Sequence, residues 1–190
     1  LSFFIIIVAI LIGTYETTSP KTIISETITQ KAPPLGPDAH LLLPNLNNAI
    51  VVAPDRPHDP MELRNPETKA QIRRLREFTV STNSQGFRGP EIAKKKGHRR
   101  ILCLGDSVTF GWGVAEEDSY PALLRKKLGF EVINAGVPAM KPRHIAIWAE
   151  QLRNLNPDIV LFARRPDWSN NNAMNSYQHS VQQLQRIFPT

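Results

Sequence analysis

The chain has 190 residues, 41% hydrophobic and 21% charged, which is enough for one domain of ordinary size with a tail and not comfortably enough for two. Its formal net charge of +6 raises a nucleic-acid reading, yet the cations are spread through residues 64–100 and 125–165 without the interleaved aromatics of a stacking platform, so no nucleic-acid partner is expected. A single cysteine, Cys103, excludes an internal disulfide and a thiolate metal framework, and no metal or cofactor is expected.

The chain opens LSFFIIIVAILIG, residues 1–13, without a charge. This matches a signal-peptide core and falls short of the roughly 20 residues that span a bilayer as a helix. No small-x-small cleavage signal follows Gly13, which favours an uncleaved membrane anchor over a secreted product. Residues 14–60 hold only Lys21, Lys31 and Arg56 as cations, too few to retain them in the cytoplasm, so the bulk of the chain is expected outside the cytoplasmic membrane.

Residues 14–65 are rich in Thr, Ser, Pro and Asn and read as an extended stalk or linker, with LLLPNLNNAIVVAP offering one short strand. Residues 66–190 are expected to form the folded domain. PETKAQIRRLRE (66–77) has the composition of a short exposed helix, and FTVSTNSQGFRGPE then turns through Asn, Gly and Pro positions. RRILCLG predicts a strand; SYPALLRKKLG predicts a helix capped by Ser119 and stopped by Gly129; FEVINAG predicts a second strand. KPRHIAIWAEQLRNLN follows as a helix with Pro142 in its first turn, NPDIVLFA as a third strand, and SYQHSVQQLQRIF as a last helix with Tyr177, Val181, Leu184 and Phe188 on one side. Strand alternating with helix in this order predicts an α/β fold whose parallel sheet is covered on both faces.

Ligands of such sheets bind beyond the carboxyl ends of the strands, where Gly105-Asp106-Ser107 and Asn134-Ala135-Gly136 fall. A lone Gly-Asp-Ser is also ordinary turn and helix-cap chemistry. In its setting, strand, GDSVTFGWGV, helix, strand, INAGVPA, helix, strand, with NSQGFRGPE ahead, the chain resembles the SGNH (GDSL-type) hydrolase family over about residues 80–168. The resemblance implies a flavodoxin-like three-layer α/β/α sandwich, Ser107 as nucleophile, and the backbone N–H groups of Ser107 and Gly136 as oxyanion donors. Asp106, Trp112 and Asp167 are carried as candidate substrate contacts, although Asp106 also has the role of ordering the turn and Trp112 that of shaping the loop.

Two departures stand against that pattern. Where the family carries Gly-x-Asn-Asp, the chain reads Arg164-Arg165-Pro166-Asp167, and a proline has neither the amide side chain nor an N–H to donate. No Asp-x-x-His follows Ser107; His144 and His179 are expected at a helix end and on a helix surface rather than as the base. Three strands after residue 99, against the five of the family, lead to the expectation of a C-terminally incomplete domain. The expected function is an extracytoplasmic, membrane-anchored ester hydrolase or acyltransferase acting on an acylated carbohydrate, lipid or small ester. The alternative is a catalytically incomplete SGNH-fold binding or scaffolding module.

Overall fold

A computed structural model describes residues 4–8, 28–36, 38–52, 77–164 and 173–189. Among them the strands are β1 (Phe4–Val8), β2 (Thr29–Lys31), β3 (His40–Leu42), β4 (Ala49–Val52), β5 (Glu77–Val80), β6 (Arg100–Gly105), β7 (Glu131–Gly136) and β8 (Ile159–Ala163). The α-helices are α1 (Ser107–Phe110), α2 (Tyr120–Leu128), α3 (Pro142–Gln151) and α4 (Ala173–Ile187).

The parallel sheet runs β1-β8-β6-β7, so β6 is central, with Gly105 opposite Gly136 on one side and Ala163 on the other. All six residues of β6 are buried, as a strand covered on both faces requires. Its side chains alternate between two cores. Leu102 and Leu104 meet Ile145, Ala149 and Leu152 of the α3 region and Leu184 and Phe188 of the α4 region, whereas Ile101 and Cys103 meet Tyr120, Leu124 and Phe130 around α2. The split follows from right-handed crossovers: β6 to β7 steps one way and β7 to β8 steps back across β6, so their helices lie on opposite faces. Each fully buried Leu, Ile or Phe contributes about 2 kcal/mol. Burial also pushes the Cys103 thiol up to about 12.

The helix boundaries obey local chemistry. The Ser119 hydroxyl accepts from Ala122 N–H at 3.4 Å to open α2, Pro121 occupies its first turn, and Gly129 closes it at φ 65°.

Two segments differ from the sequence reading. The apolar run at 1–13 contributes β1, a strand parallel to β8 with Phe4 opposite Ile159, and no helix among the described residues is long and apolar enough to cross a membrane. The edge of β8 offers the backbone of Phe4–Val8 the hydrogen bonds it needs. Residues 28–52, expected within the stalk, are packed: Ile28, Leu42 and Val51 form a core with Phe78, Val80 and Phe110, and Leu35 joins the core over α3. The 66–77 helix lies outside the described residues except for Glu77, which begins β5.

The arm made by β2, β3 and the 3-10 turn Pro33–Leu35 is also held by charge. The Asp38 carboxylate contacts Lys141 and Arg143 and lies 3.1 Å from His144 Nε2, all at the amino end of α3, whose cap residue Lys141 makes no side-chain capping bond. An anion from the arm thus meets the positive end of a helix. His144 lies at the helix end, as expected, but is only 3% exposed, because the arm covers it. Lys141 and Arg143 hold the Asp38 carboxyl well below the usual carboxylate range. Burial, with Arg143 beside it, holds the His144 imidazole below its ordinary value.

Both groups are depressed in the folded chain, so their contribution is complete above their unfolded values, 6.5 for the imidazole and 3.8 for the carboxyl, and is lost as the pH falls through the folded ones. Amide exchange across residues 28–43, corrected for intrinsic rates, is therefore expected to accelerate on acidification. Asp38→Ala should give fast exchange there already at neutral pH. Full protection in that variant would mean that Leu35 and Leu42 hold the arm without the carboxylate.

Candidate active site at the carboxyl end of the sheet

Three strand ends lie level at Gly105, Gly136 and Ala163. From the central one the chain leaves through Asp106 into α1. The Asp106 side chain accepts from Val108 N–H at 3.0 Å and so caps that single turn, while its second oxygen lies 3.7 Å from Arg164 Nε at the end of β8. Ser107 is the first residue of the turn. It is half-buried, and no described residue hydrogen-bonds its hydroxyl. Gly111 ends the turn in the left-handed region at φ 82°, its N–H returning to Ser107 O at 3.1 Å.

The turn sits where it does because two glycines let backbone approach backbone. A Cβ on Gly136 would lie 2.2 Å from Phe110 N, and one on Gly105 would lie 1.9 Å from Ala163 O. Thr109, fully buried, places its hydroxyl 2.9 Å from that same Ala163 carbonyl and 3.1 Å from the Tyr120 hydroxyl, tying α1 to β8 and α2.

Arg88 secures the other end of the turn. It is 1% exposed, with Nη1 donating to Phe110 O at 2.9 Å and Gly111 O at 2.6 Å, and Nη2 donating to Val114 O at 2.7 Å and Thr79 O at 3.2 Å. Its guanidinium carbon also stands 4.7 Å from the centre of the Phe110 ring. Its backbone bridges Asn134 on the outer edge of β7. The buried Asn134 amide donates to Phe110 O at 3.3 Å, and its oxygen accepts from Gly136 N–H at 3.1 Å.

The expected site residues therefore divide. Asp106 and Ser107 meet at the strand end, with Gly136 packed beneath the same turn. The Gly136 N–H, expected to face an oxyanion, is engaged by Asn134, because alternation along β7 points it to the outer edge, away from β6. Trp112 is half-buried, edge-on to Phe78 at 5.1 Å and tilted to Phe110 at 6.0 Å, among the residues that join β5 to α1. Asp167 and Pro166 lie outside the described residues, and His179 is exposed. A cleft of about 110 Å³ opens beside Gly136, between Gln30 and Leu41 of the arm, Gln85 and Phe87, and Trp148 of α3.

No protein-family model matches the chain, and no curated protein matches it either.

Arg88, Asn134 and the Asp106–Arg164 pair were missed as parts of the site. Asn134 carried a signal, a polar amide within the otherwise apolar run VINAG. Arg88 carried a weaker one, a charge held between Phe87 and Gly89 in a segment otherwise made of turn residues.

Just past β7, Val137 O accepts from Met140 N–H at 3.1 Å across Pro138 and Ala139, and Ala139 has φ 57°. That is a turn with proline at its second position and a left-handed third position, where glycine is favoured. Ala139→Gly is expected to raise stability by about 1 kcal/mol, read from the urea midpoint; a lowered midpoint would contradict the strain. Arg88→Met removes the guanidinium from four carbonyls, of which Phe110 O and Gly111 O keep only the longer bonds from Asn134 and Val114, and is expected to cost at least about 3 kcal/mol, with Arg88→Lys recovering only a minority because one ammonium cannot reach all four. Recovery by lysine to near the native midpoint would show that charge rather than the forked geometry matters.

Proposed function

We propose that the chain is an ester hydrolase or acyltransferase of the SGNH type, with Ser107 as nucleophile. One observation carries this reading: a half-buried serine, whose hydroxyl has no hydrogen-bond partner among the described residues, stands on a capped turn at the end of the central strand of a parallel sheet covered on both faces. The Gly-Asp-Ser and Asn-Ala-Gly blocks at neighbouring strand ends support it, as does the placing of the α1 turn by glycines that tolerate no side chain.

In this reading the Ser107 oxygen attacks the acyl carbonyl, the hydroxyl proton passes to an imidazole, and backbone N–H groups at the turn stabilise the tetrahedral oxyanion. Ser107 N–H is positioned by α1. Gly136 N–H joins only if it leaves Asn134. The oxyanion collapses as the ester C–O bond breaks and the substrate's alcohol leaves with the proton held by the imidazole, and the acyl group on Ser107 is then transferred to water or to a sugar hydroxyl. The imidazole is not among the described residues that touch Ser107. The substrate class is an acylated carbohydrate, lipid or small ester met outside the cytoplasmic membrane, a placing supported by the scarcity of cations over residues 14–60.

A second reading, a binding or scaffolding module on the same fold, is favoured by the engaged Gly136 N–H and by the Arg164-Arg165-Pro166-Asp167 sequence at the end of β8. The two separate in one experiment. The native protein is treated with a fluorophosphonate and assayed on a short-chain aryl ester. Hydrolase chemistry predicts label on Ser107, and a loss of roughly 10³-fold or more in turnover for Ser107→Ala. A folded native protein that takes no label and turns over no ester would leave the binding module as the function.

A further inference from the structure

The strands β6, β7 and β8 all begin at one pole of the domain, about 17 Å along the sheet from the Ser107 turn. The segments that precede them gather there. The loop 93–99 leads into β6, the carboxyl end of α2 into β7, and the turn Arg153–Leu155 into β8. They are joined to one another: Ala93 N–H donates to Glu131 at 2.7 Å, and Lys96 Nζ donates to Asn156 O at 3.0 Å.

Among the described residues, charge at this pole is one-sided. Its carboxylates are already taken, Glu131 by Arg100 at 2.6 Å, Asp158 by Lys96 at 2.6 Å and Glu150 by Arg153 at 3.0 Å. Lys94, Lys95, Lys126 and Lys127 are all exposed and make no salt bridge among the described residues. Exposed Arg99 and His98 adjoin them. The acids of the α2 region, Glu116, Glu117 and Asp118, stand at the helix's other end, towards Ser107. Within the basic surface Leu128 is 44% exposed, an apolar side chain beside two lysines at a helix end. β1 also starts here, Phe4 facing Ile159, so the chain enters the sheet from this pole.

We propose that this pole is a docking surface for an anionic phospholipid membrane, with the four lysines at the headgroups and Leu128 entering between them. Two lysines beside an exposed apolar side chain, with two more on the loop joined to the same strand, match the interfacial mode of membrane binding. An anionic protein partner would call for a broader buried apolar patch, and nucleic acid for aromatic stacking surfaces, neither of which the described part of this pole presents. The orientation that results directs the Ser107 turn away from the bilayer. The surface does not depend on the chemistry at Ser107 and stands whether or not that serine is a nucleophile.

The test is co-sedimentation of the full chain with vesicles of phosphatidylcholine alone and with vesicles containing about 30% phosphatidylglycerol. Comparing the two separates the basic pole from any insertion of residues 1–13, which does not require anionic lipid. Each cation near such a surface is worth about fivefold in partition, so the native chain is expected to prefer the anionic vesicles by at least about tenfold, and to lose that preference at about 0.5 M NaCl. The Lys94→Glu, Lys95→Glu, Lys126→Glu, Lys127→Glu variant should show no preference while keeping the native circular dichroism. If it misfolds, the corresponding Gln variant should reduce the preference by about tenfold. Equal partition of the native chain into both vesicles would overturn the proposal. So would an undiminished preference in the folded variants, or retention on a soluble anionic polysaccharide with no preference for the anionic vesicles.

Discussion

One buried guanidinium holds together parts of the fold that are far apart in sequence. Arg88 bonds carbonyls on β5, at the end of α1 and in the loop beyond it, while its own backbone bridges β7. A charge that deep needs partners for its donors, and here both Nη groups have them while Nε has none among the described residues; a planar fork with parallel N–H groups can meet several carbonyls where an ammonium cannot. The arrangement also makes the turn bearing Ser107 depend on residues twenty positions earlier. Asn83 prepares that approach, its side-chain oxygen accepting from Gln85 and Phe87 N–H groups at 3.0 Å and its amide donating to Pro90 O at 2.9 Å. The segment between β5 and β6 is therefore structural in the same sense as a strand, although it forms no regular element.

The outer edge of β7 and the edge of β8 show two answers to one difficulty. A parallel sheet leaves rows of unpaired N–H and C=O groups at each side. On β7 the row is met by the Arg88 backbone and by the Asn134 side chain bonding Gly136 within its own strand. On β8 it is met by a whole strand, β1. The first answer is local and built from polar side chains; the second recruits the most apolar run in the chain. The Gly136 N–H is thus part of how an edge is closed, which explains why it does not point where a strand-end donor would be useful.

What could be read from the chain beforehand follows the range of the interactions involved. The strands at 100–105, 131–136 and 159–163 and the helices at 120–128, 142–151 and 173–187 were legible because periodicity, Ser119, Gly129 and Pro142 act over a few residues. Parallel order followed from alternation of the two element types. The arm was not legible: Thr, Pro and Asn between residues 28 and 48 resemble a linker, and the partners that order them, Asn83, Lys141 and His144, lie far along the chain. For the candidate site, the Asp106 cap and the strand-end place of Ser107 were legible, since both are local. The direction of the Gly136 N–H was not, because it depends on which edge of β7 faces β6. Arg88 was invisible as a clamp because surface and buried arginines have the same letter, and only its four carbonyl partners distinguish them.

The lone thiol belongs to the same sheet. Cys103 sits in the middle of the central strand, fully buried beneath α2, where burial raises its thiol to about 12 and leaves almost no thiolate at neutral pH. In an oxidising surrounding such a sulfur neither exchanges with disulfides nor couples two copies of the chain while the sheet is closed. Reactivity returns only when α2 lifts from β6. The rate at which a thiol reagent consumes this protein is therefore a clock for the opening of its innermost layer, available without adding any label or changing any residue.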